Sequence, residues 1–118
     1  KQNDTTVKQL ASINQLKAVL DYVRSHYAEP VTLKELADIA CMSPTYFCRY
    51  FHQEMGKTPF AFLNEYRIKK AAILLDGSSL SVSDIAVNCG FDNISYFIHK
   101  FKEYQGVTPK KYRSRIEG

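Results

Sequence analysis

One pattern occurs twice in this chain. Leu33, Leu36, Ala37, Tyr46, Phe47, Phe51, Gly56, Thr58 and Pro59 are matched in order by Val82, Ile85, Ala86, Tyr96, Phe97, Phe101, Gly106, Thr108 and Pro109. The offset between the copies holds to Ala86 and grows by one residue before Tyr96. In each copy a short apolar stripe is followed by a break, then by aromatics at i and i+4. That is the grammar of a helix-turn-helix. Two such units in one short chain predict a reader of two successive stretches of DNA groove.

The chain has 118 residues, enough for one domain or two coupled lobes. Its 45% hydrophobic content supports a core, and with 8 Tyr, 7 Phe and no Trp that core is built on six-membered rings. No apolar run is long enough for a membrane helix. Residues 1–6 are polar and lack the apolar stretch of a secretory signal. Residues 1–9 read as a flexible lead or linker, and the absence of an initiating Met leads us to expect a preceding segment. The net charge of +4 leans toward anionic partners. The excess is concentrated in the tail, where Lys100, Lys102, Lys110, Lys111, Arg113 and Arg115 face only Glu103 and Glu117. A solvated surface accounts for the same charge. Cys41, Cys48 and Cys89 are odd in number and contain no CxxC, which argues against a disulfide framework or zinc site and for reduced, cytoplasmic thiols.

Seven helices and no strand are expected. Leu10, Ile13, Leu16, Leu20 and Val23 mark an amphipathic helix over residues 10–27, ended by Glu29-Pro30. Thr32 with Glu35 forms a capping box for residues 32–40. Ser43-Pro44 starts the next helix, which Gly56 closes. Thr58-Pro59 starts a long one that ends at Asp76-Gly77. Ser81 with Asp84 opens residues 81–88, and Cys89-Gly90-Phe91 is the second turn. Asp92 is expected to cap a helix closed by Gly106, and Thr108-Pro109 starts the last. The resulting all-α fold has helix-turn-helix lobes at 10–57 and 78–118, joined by a connecting helix over 58–77. Gly90 suits a positive φ that lets two helices meet steeply, and Cys41 holds the equivalent place in the first copy.

The helix from Ser43 turns Phe47 and Phe51 inward, with Tyr50 flanking, and turns Thr45, Cys48, Arg49, His52 and Gln53 outward. An exposed Arg49 near the helix start can reach guanine O6 and N7 together. The helix from Asp92 turns Phe97, Phe101 and Tyr104 inward and Asn93, Ile94, Ser95, Ile98 and His99 outward. Ile98 is either a core residue or a contact to thymine methyls, and His99 takes the place of Arg49. Thr58 and Thr108 cap helices whose exposed N–H groups suit phosphate, beside Lys57, Lys102, Lys110 and Lys111. Cys48 and His52 share a helix face, but no third ligand or orienting carboxylate stands at a supporting spacing. No catalytic, metal or cofactor site is expected.

Ile85-Ala86, Gly90-Phe91, Ser95-Tyr96-Phe97, Phe101-Lys102, Gly106-Val107-Thr108-Pro109 and Tyr112-Arg113 together resemble the signature of the AraC/XylS family of bacterial transcription regulators. Leu36-Ala37, Ser43, Tyr46-Phe47, Phe51, Gly56, Thr58-Pro59 and Arg67 fit the same pattern, so the resemblance covers about residues 10–118. It implies seven helices, two helix-turn-helix lobes on a long central helix, and recognition helices in successive major grooves. Base-reading positions would fall on Thr45, Cys48 and Arg49, and on Ile94, Ser95, Ile98 and His99; Arg67 would form a structural ion pair. The implied partner is double-stranded DNA on the bacterial nucleoid, in the cytoplasm and away from membranes. RNA polymerase and a ligand-binding domain of the full-length protein are further expected partners. The competing expectation is a helical protein-interaction module with weak or lost DNA binding.

Overall fold

Local signals set where the helices begin. In the computed structural model, which describes the backbone of residues 2–117 and the side chains of residues 10–115, the helices are α1 (Gln2–His26), α2 (Leu33–Ile39), α3 (Pro44–Met55), α4 (Pro59–Gly77), α5 (Val82–Asn88), α6 (Ile94–Gln105) and α7 (Pro109–Glu117). Thr32 Oγ1 accepts from the Glu35 N–H at 3.1 Å, and Glu35 Oε1 accepts from the Thr32 N–H at 2.9 Å. Ser43, Thr58, Ser81 and Thr108 each accept a bond from the N–H three residues on, at 3.1–3.3 Å. Each such cap contributes about 1 kcal/mol. The helix α1 starts well before Leu10, because neither Gly nor Pro stands ahead of Pro30 to stop it. Lys1 and the side chains of the expected flexible lead, residues 1–9, lie outside the described residues.

One cap differs from expectation. Asn93, not Asp92, starts α6, its Oδ1 accepting from the Tyr96 N–H at 2.9 Å. The turns explain why. In the first copy the Met42 N–H bonds Ala37 O at 2.9 Å and the Cys41 N–H bonds Asp38 O at 3.0 Å. In the second the Phe91 N–H bonds Ala86 O at 2.9 Å and the Gly90 N–H bonds Val87 O at 3.0 Å. Both are Schellman turns built on the same register. The register holds through Met42 and Phe91, and resumes at Ser43 and Asn93. The extra residue of the second copy is therefore Asp92, exposed between the turn and the cap.

Gly90 has φ +95°, as its place in the turn requires. Cys41 has φ +60°, alone among the described non-glycine residues in being positive. A side chain there costs about 1–2 kcal/mol, offset in part by the ~0.5–1 kcal/mol of unfolded-state freedom it removes. Cys41 is exposed and its thiol is free. Cys41→Gly should raise stability by ~0.5–1 kcal/mol, read as a rise of a few degrees in the thermal midpoint. An unchanged or lower midpoint would show that the turn carries no strain.

The chain divides into two compact units, one of Lys1–His26 with Val31–Ala61, the other of Tyr27–Pro30 with Phe62–Gly118. The helix α4, 19 residues and ~28 Å long, passes from the first to the second after Ala61. In the first unit Val19, Val23, Leu36, Ala37, Phe47 and Phe51 are buried. The Tyr50 hydroxyl donates to Ser12 O at 2.7 Å, tying α3 to α1. In the second unit Ile68, Ala71, Leu75, Ile85, Ala86, Cys89, Phe91, Phe97 and Phe101 form the core, with Tyr104 and Tyr112 packed against it. The i, i+4 aromatic pairs match across the copies, with ring centroids 5.7 Å apart for Phe47–Phe51 and 5.9 Å for Phe97–Phe101. Burial pushes the Cys89 thiol up to about 11, so it stays protonated and behaves as a small core residue. Among the described residues no helix is long and apolar enough to cross a membrane.

Candidate nucleic-acid interface

The aromatics of α3 decide which of its faces is free. With Phe47, Tyr50 and Phe51 buried, the opposite face forms an open depression of about 630 Å³ lined by Thr45, Cys48, Arg49, His52, Gln53 and Thr58. The outward residues expected in the first lobe are thus brought together. Arg49 is exposed and makes no hydrogen bond or ion pair among the described residues. Its five donors are therefore available to a partner. Cys48, which lines the depression, is half-buried, and Thr58 Oγ1 is engaged in its cap.

On α6 the buried Phe97 and Phe101 leave Ile94, Ser95 and His99 exposed. Ile98 is half-buried and packs against the core of its unit, so the core reading describes most of its surface. Its position borders the buried stripe, and a helix rotates about 100° per residue, so a small phase difference turns such a residue inward. Ile94, by contrast, is 40% exposed. Asn93 Oδ1 is engaged by the cap, which leaves its amide NH₂ as the outward group.

Tyr96 belongs to the repeated aromatic set, yet it is 46% exposed. Its hydroxyl accepts from Asn64 Nδ2 at 3.1 Å, and Lys100 Nζ lies 5.6 Å from its ring centroid. Tyr96 thus pins the first turn of α6 to α4. The sequence offered no signal for this link beyond a polar tip on an aromatic side chain.

Two arginines act on the backbone rather than outward. Arg67 Nε donates to Tyr27 O at 2.7 Å and Nη2 to Glu29 O at 3.0 Å, while its guanidinium lies 5.7 Å from the Phe91 ring centroid. The expected ion pair is replaced by these carbonyls, and the Asp92 carboxylate acts on the guanidinium through its charge alone. Burial pulls the Arg67 pKa below the usual arginine range. Arg113, counted in the basic tail, donates to Leu80 O at 2.6 Å, Ser78 O at 3.1 Å and Leu75 O at 3.3 Å. It closes the loop after α4 and is not an outward charge. Lys100 likewise pairs with Glu103 at 3.3 Å, and that bond raises its pKa. Lys102, Lys110 and Lys111 are exposed, whereas Lys57 and Thr108 are half-buried. Among the described residues no three His, Cys, Asp or Glu side chains gather as metal ligands.

Comparison with known proteins gives consistent matches. A family model described as a helix-turn-helix domain matches residues 36–115. The regulatory protein PocR of Salmonella typhimurium is 33% identical over 114 residues, covering 97% of this chain and 38% of its own length. The chain spans about a third of the length of the curated relatives it matches. The DNA-binding domain of the global transcriptional factor AdpA, solved in complex with a target DNA, superposes with a TM-score of 0.79 at 30% identity over 86% of this chain and 90% of that one. An AraC-type DNA-binding-domain regulator from Chromobacterium violaceum superposes with a TM-score of 0.81 at 25% identity, over 89% and 94% of the two chains.

Proposed function

Because the chain belongs to the AraC-type helix-turn-helix family of DNA-binding transcription regulators, we propose that α3 and α6 are its recognition helices, entering successive major grooves of double-stranded DNA. The observation that carries this reading is the unbonded Arg49 in an open depression on α3, on the face opposite the buried aromatics. Arg49 takes guanine O6 and N7, framed by Thr45, Cys48, His52 and Gln53. On α6, Ser95 and His99 supply donors, the Asn93 amide lies at the helix start, and Ile94 with the outer edge of Ile98 supplies apolar contact. The two half-sites lie about one helical turn, roughly 10 base pairs, apart.

Phosphate is taken by Lys57, Lys102, Lys110 and Lys111, and by the N–H groups of the helix starts at Thr58 and Thr108. The activity is binding rather than catalysis, in the cytoplasm on the nucleoid. RNA polymerase and an effector-binding domain of the full-length protein are the proposed partners beyond DNA.

A salt titration tests this. The chain should bind duplex DNA with log affinity falling linearly in log salt. Lys110→Ala with Lys111→Ala should reduce that slope by about 2 and weaken all sequences alike, because the lost contacts are to backbone. No binding at low salt, or binding indifferent to salt, would favour a protein-interaction module instead.

A further inference from the structure

We infer that α6 selects thymine by its C5-methyl group and that Ile94 is the side chain that reads it; this rests on the DNA-binding reading above. Exposure alone does not single out Ile94, since Ile73 and Val87 are more exposed; its place at the start of the proposed recognition helix does. Ile94 is 40% exposed, at the first position of α6, and stands outside the core cluster of its unit. Its neighbour one turn on, Ile98, packs into that core. The two form a ridge that runs from the interior out to the helix start. Beside it runs a second ridge, Ser95 and His99, both exposed and both able to donate as well as accept, so the methyl contact and not the polar ridge is what singles out thymine.

An apolar ridge next to a polar ridge matches one base edge in the major groove. Thymine presents a methyl group and the O4 acceptor side by side. Cytosine presents a donor and no methyl, guanine two acceptors and no methyl, and adenine no methyl. The neighbouring groups reinforce the choice. Asn93 Oδ1 is engaged by the Tyr96 N–H, so its acceptor does not compete for a base donor in that turn. The Asn64–Tyr96 bond holds that turn against α4, so a single methyl contact is made by a positioned side chain rather than a mobile one. The first lobe lacks this pairing of ridges, since Pro44 and Cys48 stand where the second has Ile94 and Ile98. Thymine selection is therefore a property of the second half-site.

The test begins with binding sites selected by the chain from a random duplex pool. In a selected duplex, each thymine of the second half-site is replaced singly by uracil, which removes only the methyl. One replacement should weaken wild-type binding about fourfold, the fold-change of ~0.8 kcal/mol for one buried methyl. Ile94→Ala should bind the thymine duplex more weakly and no longer distinguish thymine from uracil. Ile94→Val, a milder change at an exposed helical position, should keep part of the difference. An equal uracil penalty in wild type and Ile94→Ala overturns the proposal, as does a selected second half-site without a fixed thymine. Failure to select any site overturns the DNA reading itself, and with it this inference.

Discussion

Gly90→Ala should destabilise the second unit by about 3 kcal/mol or more, with a drop of ~10 °C or more in its thermal midpoint. Two costs add. At φ +95° any side chain is strained, by about 1–2 kcal/mol. A Cβ there would also stand 2.7 Å from Tyr27 O and 2.9 Å from Arg67 Nε, both under any ordinary contact. The carbonyl is backbone and cannot swing aside alone. Making room parts the two atoms joined by the Arg67–Tyr27 bond, and a hydrogen bond from a charged group is worth about 1.5–3 kcal/mol. Gly106→Ala and Gly56→Ala are the controls. Both positions have positive φ, but a Cβ at either meets nothing within 4 Å, so only the backbone cost of ~1 kcal/mol applies. Urea or thermal melts of the three variants separate the terms. If Gly90→Ala melts with Gly106→Ala, the close approach to Arg67 contributes nothing.

Arg49→Ala should weaken binding to a selected site by about 10–100-fold, the 1–3 kcal/mol of a bidentate base contact. Its thermal midpoint should barely move, because Arg49 holds no other part of the fold. Sites selected by the variant should lose preference at one position of the first half-site and keep the rest. Arg49→Lys should recover little, since an ammonium lacks the planar fork that meets both guanine acceptors. Fluorescence anisotropy on the selected duplex and on duplexes mutated at that position is the measurement. A loss equal for every sequence would make Arg49 a phosphate ligand instead of a reader.

Much of the fold was legible because its signals are local. Thr32, Ser43, Thr58, Ser81 and Thr108 were recognisable as caps from residue type and spacing alone, and the repeat itself located the two turns. Asp92 misled because Asp and Asn cap equally well, and only the Schellman register, which extends through Phe91, shows which of them begins α6. Ile98 was ambiguous because it lies at the margin of the buried stripe, where periodicity cannot say how deep the neighbouring helices reach. Tyr96 read only as a member of the repeated pattern, although its polar tip is what connects α6 to α4.

By itself the sequence determined the number of helices, most of their starts and stops, and most of the stripe each one buries. Those features depend on neighbours three or four residues away: a cap and its N–H, a glycine and its turn, an aromatic and its i+4 partner. The tertiary structure decided which arginines remain outward and without a backbone partner. Nothing in the chain marks which acceptors meet Arg67 and Arg113, and only the fold brings backbone carbonyls 33 to 40 residues distant onto them. A backbone carbonyl has no residue type. The partner that engages Arg67 and Arg113, and leaves Arg49 free, therefore has no signature in the sequence.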